Sequence, residues 1–272
     1  MTGYRYGKQL LRMALPLLLA ACSHEAEYPA TPDEGPLRIT AEIGMPVTRA
    51  TDTDFEEGDI IAVTQTSASK TGNYKKTGSV WNFVESSGEN FATIQDNTAF
   101  TASYPAGFTT ILKDQTTKEG YTNSNHLTAS ASSAANHLNF TFAPAGAKLI
   151  INVAYKTATA VNGLSVAGTG IRTTANSSET INLLRTTNST ALTYHTFTGI
   201  MRAAIYTGYT ITLTGSDNTT KTYTQTASVT LAAGHAYTYN FTYGENLVLT
   251  SVTVTDFTEV EDDKGGDVGD AT

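Results

Sequence analysis

Apolar and polar residues alternate along much of this chain. Leu37, Ile39, Ala41 and Ile43 fall on one side of a segment whose other side is Arg38, Thr40 and Glu42. A face that repeats every second residue is the strand period, so Leu37 to Ile43 reads as a strand with one buried face. Gly58-Asp59 marks a turn into the apolar run Ile60 to Val63. Ser79 to Val84, Asn90 to Ile94 and Ala99 to Tyr104 are further strand expectations, the last stopped by Pro105. The span from Lys113 to Asn136 is polar and reads as loop-rich. From Leu138 the alternation sharpens: Leu138, Phe140 and Phe142, then Ala147, Leu149, Ile151, Val153 and Tyr155. Short strands follow at Leu164 to Ala167, Ile181 to Leu184, Leu192 to Phe197, Tyr209 to Leu213 and Thr220 to Gln225. In Ala236 to Tyr243 the aromatic residues Tyr237, Tyr239, Phe241 and Tyr243 share one face, and Leu247 to Phe257 is the last strand. Strands this short and this regularly spaced predict an all-β fold of two antiparallel β-sandwich lobes, residues 37–137 and 138–257.

The first residues follow another pattern. Arg5, Lys8 and Arg12 precede or open an apolar run that ends in Leu17-Leu18-Leu19-Ala20-Ala21-Cys22. A basic start, an apolar stretch and small residues before a cut are the layout of a secretion signal. The apolar run is about a dozen residues, short of the roughly 20 that a spanning helix needs. Leu19-Ala20-Ala21-Cys22 is similar to a lipobox, which implies a lipoprotein signal peptide over residues 1–21 and a lipid, palmitate included, on Cys22. The plainer alternative is an ordinary signal peptide with a cysteine near its cut. Cys22 is the single cysteine in the chain, so no internal disulfide can form and the fold rests on packing. Residues 22–36 hold Pro29, Pro32 and Pro36 among acidic side chains and read as an extended tether. Its acids resemble a surface-export signal, or are simply those of a polar linker. Residues 258–272 form an acidic, glycine-rich tail that cannot bury a face.

Charge narrows the class of partner. The chain carries a net −8, and loss of the three basic signal residues leaves it near −11. Such a chain has no electrostatic footprint for nucleic acid. His24, His126, His137, His195 and His235 lie at no metal-ligand spacing, and Asp262, Asp263, Asp267 and Asp270 lack the terminal glutamate of a calcium loop. No metal or cofactor is expected. Glu57 and Asp59 could be an acid and base pair, but a turn before a strand accounts for them. No serine sits in a nucleophile elbow and no glycine-rich phosphate loop occurs, so an enzyme is not expected. Tyr237, Tyr239, Phe241 and Tyr243 could stack on sugar rings, although their alternation favours a core face. Arg49 lies in a polar stretch behind the first strand, where a protease could reach the backbone.

Several stretches line up in order: Thr48-Arg49-Ala50, Phe55 to Val63, and Phe100-Thr101-Ala102-Ser103-Tyr104-Pro105. Leu138-Asn139-Phe140 then leads to Ala147-Lys148-Leu149, followed by Leu231 to Tyr239 and Val252 to Phe257. Behind a lipobox, this series resembles the fimbrillin family, secreted lipoprotein subunits of type V pili in Bacteroides-type bacteria. The resemblance implies two transthyretin-like lobes and a surface-exposed lipoprotein held in the cell outer membrane by lipidated Cys22. It also implies an assembly route: an Arg-specific protease cuts between Arg49 and Ala50, the first strand leaves, and a strand from another pilus subunit fills the groove. Arg49 is otherwise an inert loop arginine. The segment from Leu247 onward is the donor that the resemblance implies, and adhesion to a host or glycan ligand is the expected role of the fimbrium. Related lipoproteins serve as pilus anchors or tips. A monomeric surface lipoprotein that binds glycan is the expectation from another class.

Overall fold

The computed structural model describes residues 37–44, 54–155, 161–187 and 194–256. Nearly all of its regular structure is strand, as the alternation predicts. Seven strands build one sheet: β1 (Arg38–Ile43), β2 (Ile60–Gln65), β3 (Lys70–Thr77), β4 (Val80–Phe83), β5 (Ala99–Tyr104), β6 (Leu127–Ser132) and β7 (His137–Pro144), in the spatial order β1-β7-β6-β5-β2-β3-β4. Its end strands β1 and β4 approach each other, so the sheet curls around its own core. That core holds Ile61, Val63, Trp81, Phe100, Phe140 and Phe142. Phe55 stands at its centre, with the rings of Trp81, Tyr104 and Phe142 edge-on at 5.1–5.2 Å. Edge-to-face pairs of this kind satisfy the ring quadrupoles.

The second core lies between two further sheets. One has the order β10-β9-β14-β15, formed by β9 (Val161–Thr169), β10 (Ser178–Asn182), β14 (Tyr209–Gly215) and β15 (Thr220–Gln225). The other has the order β11-β12-β8-β17-β18. It comprises β8 (Gly146–Tyr155), β11 (Leu184–Arg185), β12 (Tyr194–Arg202), β17 (His235–Tyr243) and β18 (Leu247–Asp256). A small ribbon of β13 (Ala204–Tyr206) and β16 (Val229–Leu231) completes it. Leu149, Ile151 and Val153 of β8 meet Val166, Ile211 and Leu213 of the facing sheet, all of them buried. Tyr237, Tyr239 and Phe241 lie in this core, as their alternation requires of a half-buried strand.

Four features depart from the sequence expectation. First, the pairing is not wholly antiparallel: β1 runs parallel to β7, and β17 parallel to β8. Each pair joins strands far apart in sequence, so no tight hairpin forces the antiparallel direction. Second, β7 does not open the second lobe. Its Leu138, Phe140 and Phe142 are buried in the first core, which moves the change of core to Ala145-Gly146. Third, the span 113–136 is not simply loop: it contains α1 (Lys118–Ser124) and β6. Thr117 caps α1 by accepting from Gly120 N at 3.1 Å. Tyr121 of α1 and the preceding Ile111 enter the second core, so chain from the expected first lobe helps to build the second. Fourth, Asn90 to Ile94 forms no strand. Phe91 is an anchor instead, its ring edge-on to Phe100 and its amide donating to Tyr74 Oη at 3.0 Å.

The loop from Pro105 to His126 is fastened by backbone mimicry. Gln115 is fully buried. Its Nε2 donates to Ile200 O at 2.9 Å, and its Oε1 accepts from Ile200 N at 2.7 Å. One side-chain amide thus supplies the rung that β12 lacks beyond the last residue paired with β11. Beside it, Gln115 N donates to Asn182 O at 3.0 Å and Asn182 N to Lys113 O at 2.7 Å.

Candidate functional site

The first strand is the natural place to look for function, because it is at a sheet edge and lightly held. All six residues of β1 pair with β7, from Arg38 opposite His137 to Ile43 opposite Phe142. Arg38 N donates to Asn136 O at 3.0 Å and Gly44 N to Phe142 O at 2.9 Å, closing the two ends of the ladder. On the outer face Thr40 Oγ1 meets His137 Nε2 at 3.2 Å and also bonds Asn139, while Thr141 Oγ1 donates to Glu42 at 3.1 Å. On the inner face Ile39 alone is buried; Leu37, Ala41 and Ile43 are half-buried against the core. Its partner is held far more firmly. Leu138, Phe140 and Phe142 of β7 are essentially inaccessible.

The last strand has the opposite character. β18 pairs with β17 along its length, with a bulge at Thr250. Of its ten residues only Leu247 is buried. Val248, Val252 and Val254 are 55%, 44% and 53% exposed. Val252 and Val254 stand opposite Tyr239 and Tyr237, so they share the core face of the sheet yet extend past what the facing sheet covers. An edge strand with uncovered apolar residues is a template for pairing with another chain.

Of the residues singled out from the sequence, Cys22, Arg49 and Ala50 lie outside the described residues, as do the tether, the signal and the acidic tail. Glu57 and Asp59 have structural work: Glu57 accepts from Gly78 N at 2.7 Å, and Asp59 accepts from Glu56 N at 2.7 Å and Tyr104 Oη at 2.9 Å. Burial, then the Asp59 carboxylate, pushes the Tyr104 hydroxyl pKa well up. His195 is buried beside the rings of Tyr155 and Phe197, and His235 faces Asp256 at 3.8 Å. Among the described residues no three His, Cys, Asp or Glu side chains could hold a metal ion together. No helix of the described residues is long and apolar enough to cross a membrane.

One cleft was not legible from sequence. Its wall brings together Phe108, Ile111, His126, Arg172 and Arg202 around a volume of about 320 Å³. These positions come from the Pro105 to His126 loop, the connection between β9 and β10 and the end of β12, and no spacing pattern links them. The rings of Phe108 and His126 are stacked at 4.1 Å and nearly parallel. Burial holds the His126 imidazole pKa below its ordinary value.

Comparison with known proteins places this architecture. A cell adhesion candidate of Bacteroides ovatus is similar in structure, with a TM-score of 0.61 at 20% identity, over 84% of this chain and 99% of that one. Another from Bacteroides uniformis has a TM-score of 0.57 at 18% identity, over 82% of this chain and 100% of that one. At these identities the likeness is one of fold. No curated protein matches the chain in sequence. The sequence profile described as Fimbrillin-like matches residues 48–256, spanning both cores from just behind β1 to the end of β18, and the chain belongs to that family.

Proposed function

We propose that the chain is a structural subunit of a surface pilus that supports adhesion. In this reading it reaches the cell outer membrane as a lipoprotein on Cys22 and assembles with other pilus subunits by strand exchange after a cut between Arg49 and Ala50. The observation that carries the reading is the setting of β1: an edge strand with one buried side chain, laid on a partner strand whose inner row is fully buried. Arg49 follows shortly after Gly44, where the described part of this strand segment ends. A cut there would leave β1 tied to the fold by its ladder and its shallow inner face alone. Its departure would bare the outer edge of β7 together with part of the core around Leu138, Phe140 and Phe142. Unpaired backbone groups and wet apolar surface are both costly, and an extended strand with an apolar residue at every second position removes both costs.

The C-terminal segment fits that requirement. Val248, Thr250, Val252 and Val254 have the two-residue spacing of Leu37, Ile39, Ala41 and Ile43, and all but Thr250 are apolar. Most of β18 is exposed on both faces, so its own sheet holds it weakly. The test is the N-terminus of the protein recovered from assembled surface material, read by mass spectrometry. A start at Ala50 is expected. A lipid-bearing Cys22 as the sole N-terminus in that material would overturn the cleavage route.

A further inference from the structure

The cleft beside Phe108 lies apart from β1 and β18. Two arginines meet there. Arg172 Nε donates to Ile111 O at 2.9 Å, and Arg202 Nε donates to Gly170 O at 2.9 Å. Each guanidinium is therefore fixed by one backbone bond. Among the described residues, neither has a carboxylate within ion-pair distance and neither has a bond from its terminal nitrogens. No acidic residue lines the cleft. The nearby Glu179 is engaged elsewhere: its carboxylate accepts from Arg172 N at 2.7 Å, Thr173 N at 3.1 Å and Thr173 Oγ1 at 2.7 Å. Burial raises its pKa, but these bonds and the charge of Arg172 outweigh that and hold it below its ordinary value, so Glu179 carries its full charge at neutral pH. Two guanidiniums against one neighbouring carboxylate leave the site with a surplus of one positive charge.

We propose that this cleft binds a carboxylate-bearing monosaccharide unit, its carboxylate held by Arg172 and Arg202 and its ring laid along Phe108 and Ile111. Three considerations select that chemistry. A planar guanidinium presents paired N–H donors that match a carboxylate, and pre-fixed arginines lose little freedom on binding. A surplus of one positive charge suits a monoanion better than a phosphate monoester, and the acidity of the chain as a whole opposes long polyanions. A cavity of about 320 Å³ lies at the small end of ligand sites, and its wall includes apolar Phe108 and Ile111 as well as the flat Phe108 and His126 stack. An inorganic anion would leave that wall without a partner. The cleft is independent of the pilus reading, and strand exchange could fail while the cleft still binds.

The experiment is isothermal titration calorimetry of the purified chain with glucuronic acid, N-acetylneuraminic acid, glucose and acetate, in low salt. One or both acidic sugars are expected to bind saturably, with glucose and acetate each at least tenfold weaker. Acetate binding as tightly as the sugars would overturn the assignment to a sugar, and no heat from either acidic sugar at millimolar concentration would overturn the site. Arg172→Gln and Arg202→Gln should each weaken acidic-sugar binding at least tenfold without changing the far-ultraviolet circular dichroism. NMR titration of the unaltered protein gives a readout that does not rely on variants. Shifts confined to His126, Gly146 and the arginine Nε–H signals are expected, and shifts centred elsewhere would overturn the proposal.

Discussion

Replacing Gln115 with methionine tests how the loop from Pro105 to His126 is held. The two side chains have similar length and volume, so packing changes little and the loss is polar. Gln115 is inaccessible to solvent, and its amide makes three bonds, to Ile200 N, Ile200 O and Leu112 O. Methionine leaves the Ile200 N–H and C=O without partners. Each stranded buried group costs about 1–3 kcal/mol. Against this, the buried amide of Gln115 no longer has to be desolvated, which returns about 1–2 kcal/mol. With mid-range values, about 4 kcal/mol for the two stranded groups less about 1.5, the net loss is about 2.5 kcal/mol. For a chain of this size each kcal/mol lowers Tm by about 2–4 °C, so the melting point should fall by roughly 5–10 °C in differential scanning calorimetry. Gln115→Glu should be worse, because it keeps the acceptor for Ile200 N but sets a buried carboxylate against Ile200 O. A methionine variant that melts within about 1 °C of the parent would refute the idea that this amide serves as a strand rung.

Two further outcomes follow from the packing and the titrating groups. In Gly72→Ala the new Cβ would lie 1.9 Å from the Glu89 carbonyl oxygen, a backbone atom that cannot swing away. It should cost about 1–3 kcal/mol by displacing Glu89 from its bond to Thr71, seen as a lower urea midpoint at unchanged m; an unchanged midpoint would contradict the close approach. Burial pushes the Tyr206 hydroxyl up to about 12 and raises Tyr74, Tyr155, Tyr209 and Tyr239 as well. The folded state therefore keeps protons that the unfolded chain releases near pH 10. Stability is fully present below that pH and declines above it by about 1.4 kcal/mol per pH unit for each such tyrosine. Of the fourteen tyrosines, the buried ones should add their share of the absorbance change at 295 nm only as the circular dichroism is lost, above pH ~11; ionisation of all fourteen with the dichroism intact would count against buried hydroxyls.

What could be read from the sequence depended on whether a residue's role was local. Residues 138–155 and 236–243 were legible because one face of each strand is wholly apolar and the two-residue period is unbroken. β3 was not, since in Lys70–Thr77 the inner row is Gly72 and Tyr74, and glycine there makes room for a neighbouring backbone. α1 was missed because it is a seven-residue helix with a weak pattern, fixed by the burial of Tyr121 and by the Gln115 rung. β7 was legible as a strand but not as part of the first core, because alternation reports that a face is buried and not which core buries it. The arginine cleft left no trace either. Arg172 sits between β9 and β10, Arg202 at the end of β12 and Phe108 in the long loop, and only the packing of that loop on the second core brings them together.

The same distinction bears on whether β1 could leave its edge, as the proposed strand exchange requires. Burial of Ile39 contributes about 2 kcal/mol and the half-buried Leu37, Ala41 and Ile43 about 3 together. A ladder of about six backbone bonds adds about 1 each. Ordering some seven residues costs about 1–1.5 kcal/mol apiece, or roughly 7–10 in all. Both sides are near 10, so β1 stays in place by at most a few kcal/mol. The remaining six strands of the sheet keep Ile61, Val63, Phe100 and the β7 row, which hold the first core without it. While the chain is intact, the continuous backbone returns β1 to its edge at high effective concentration. A cut at Arg49 would remove that advantage and leave the bare strand to diffuse away. A strand from another subunit could then take its place on β7 with no competitor of comparable concentration, so cleavage rather than affinity would decide when exchange occurs.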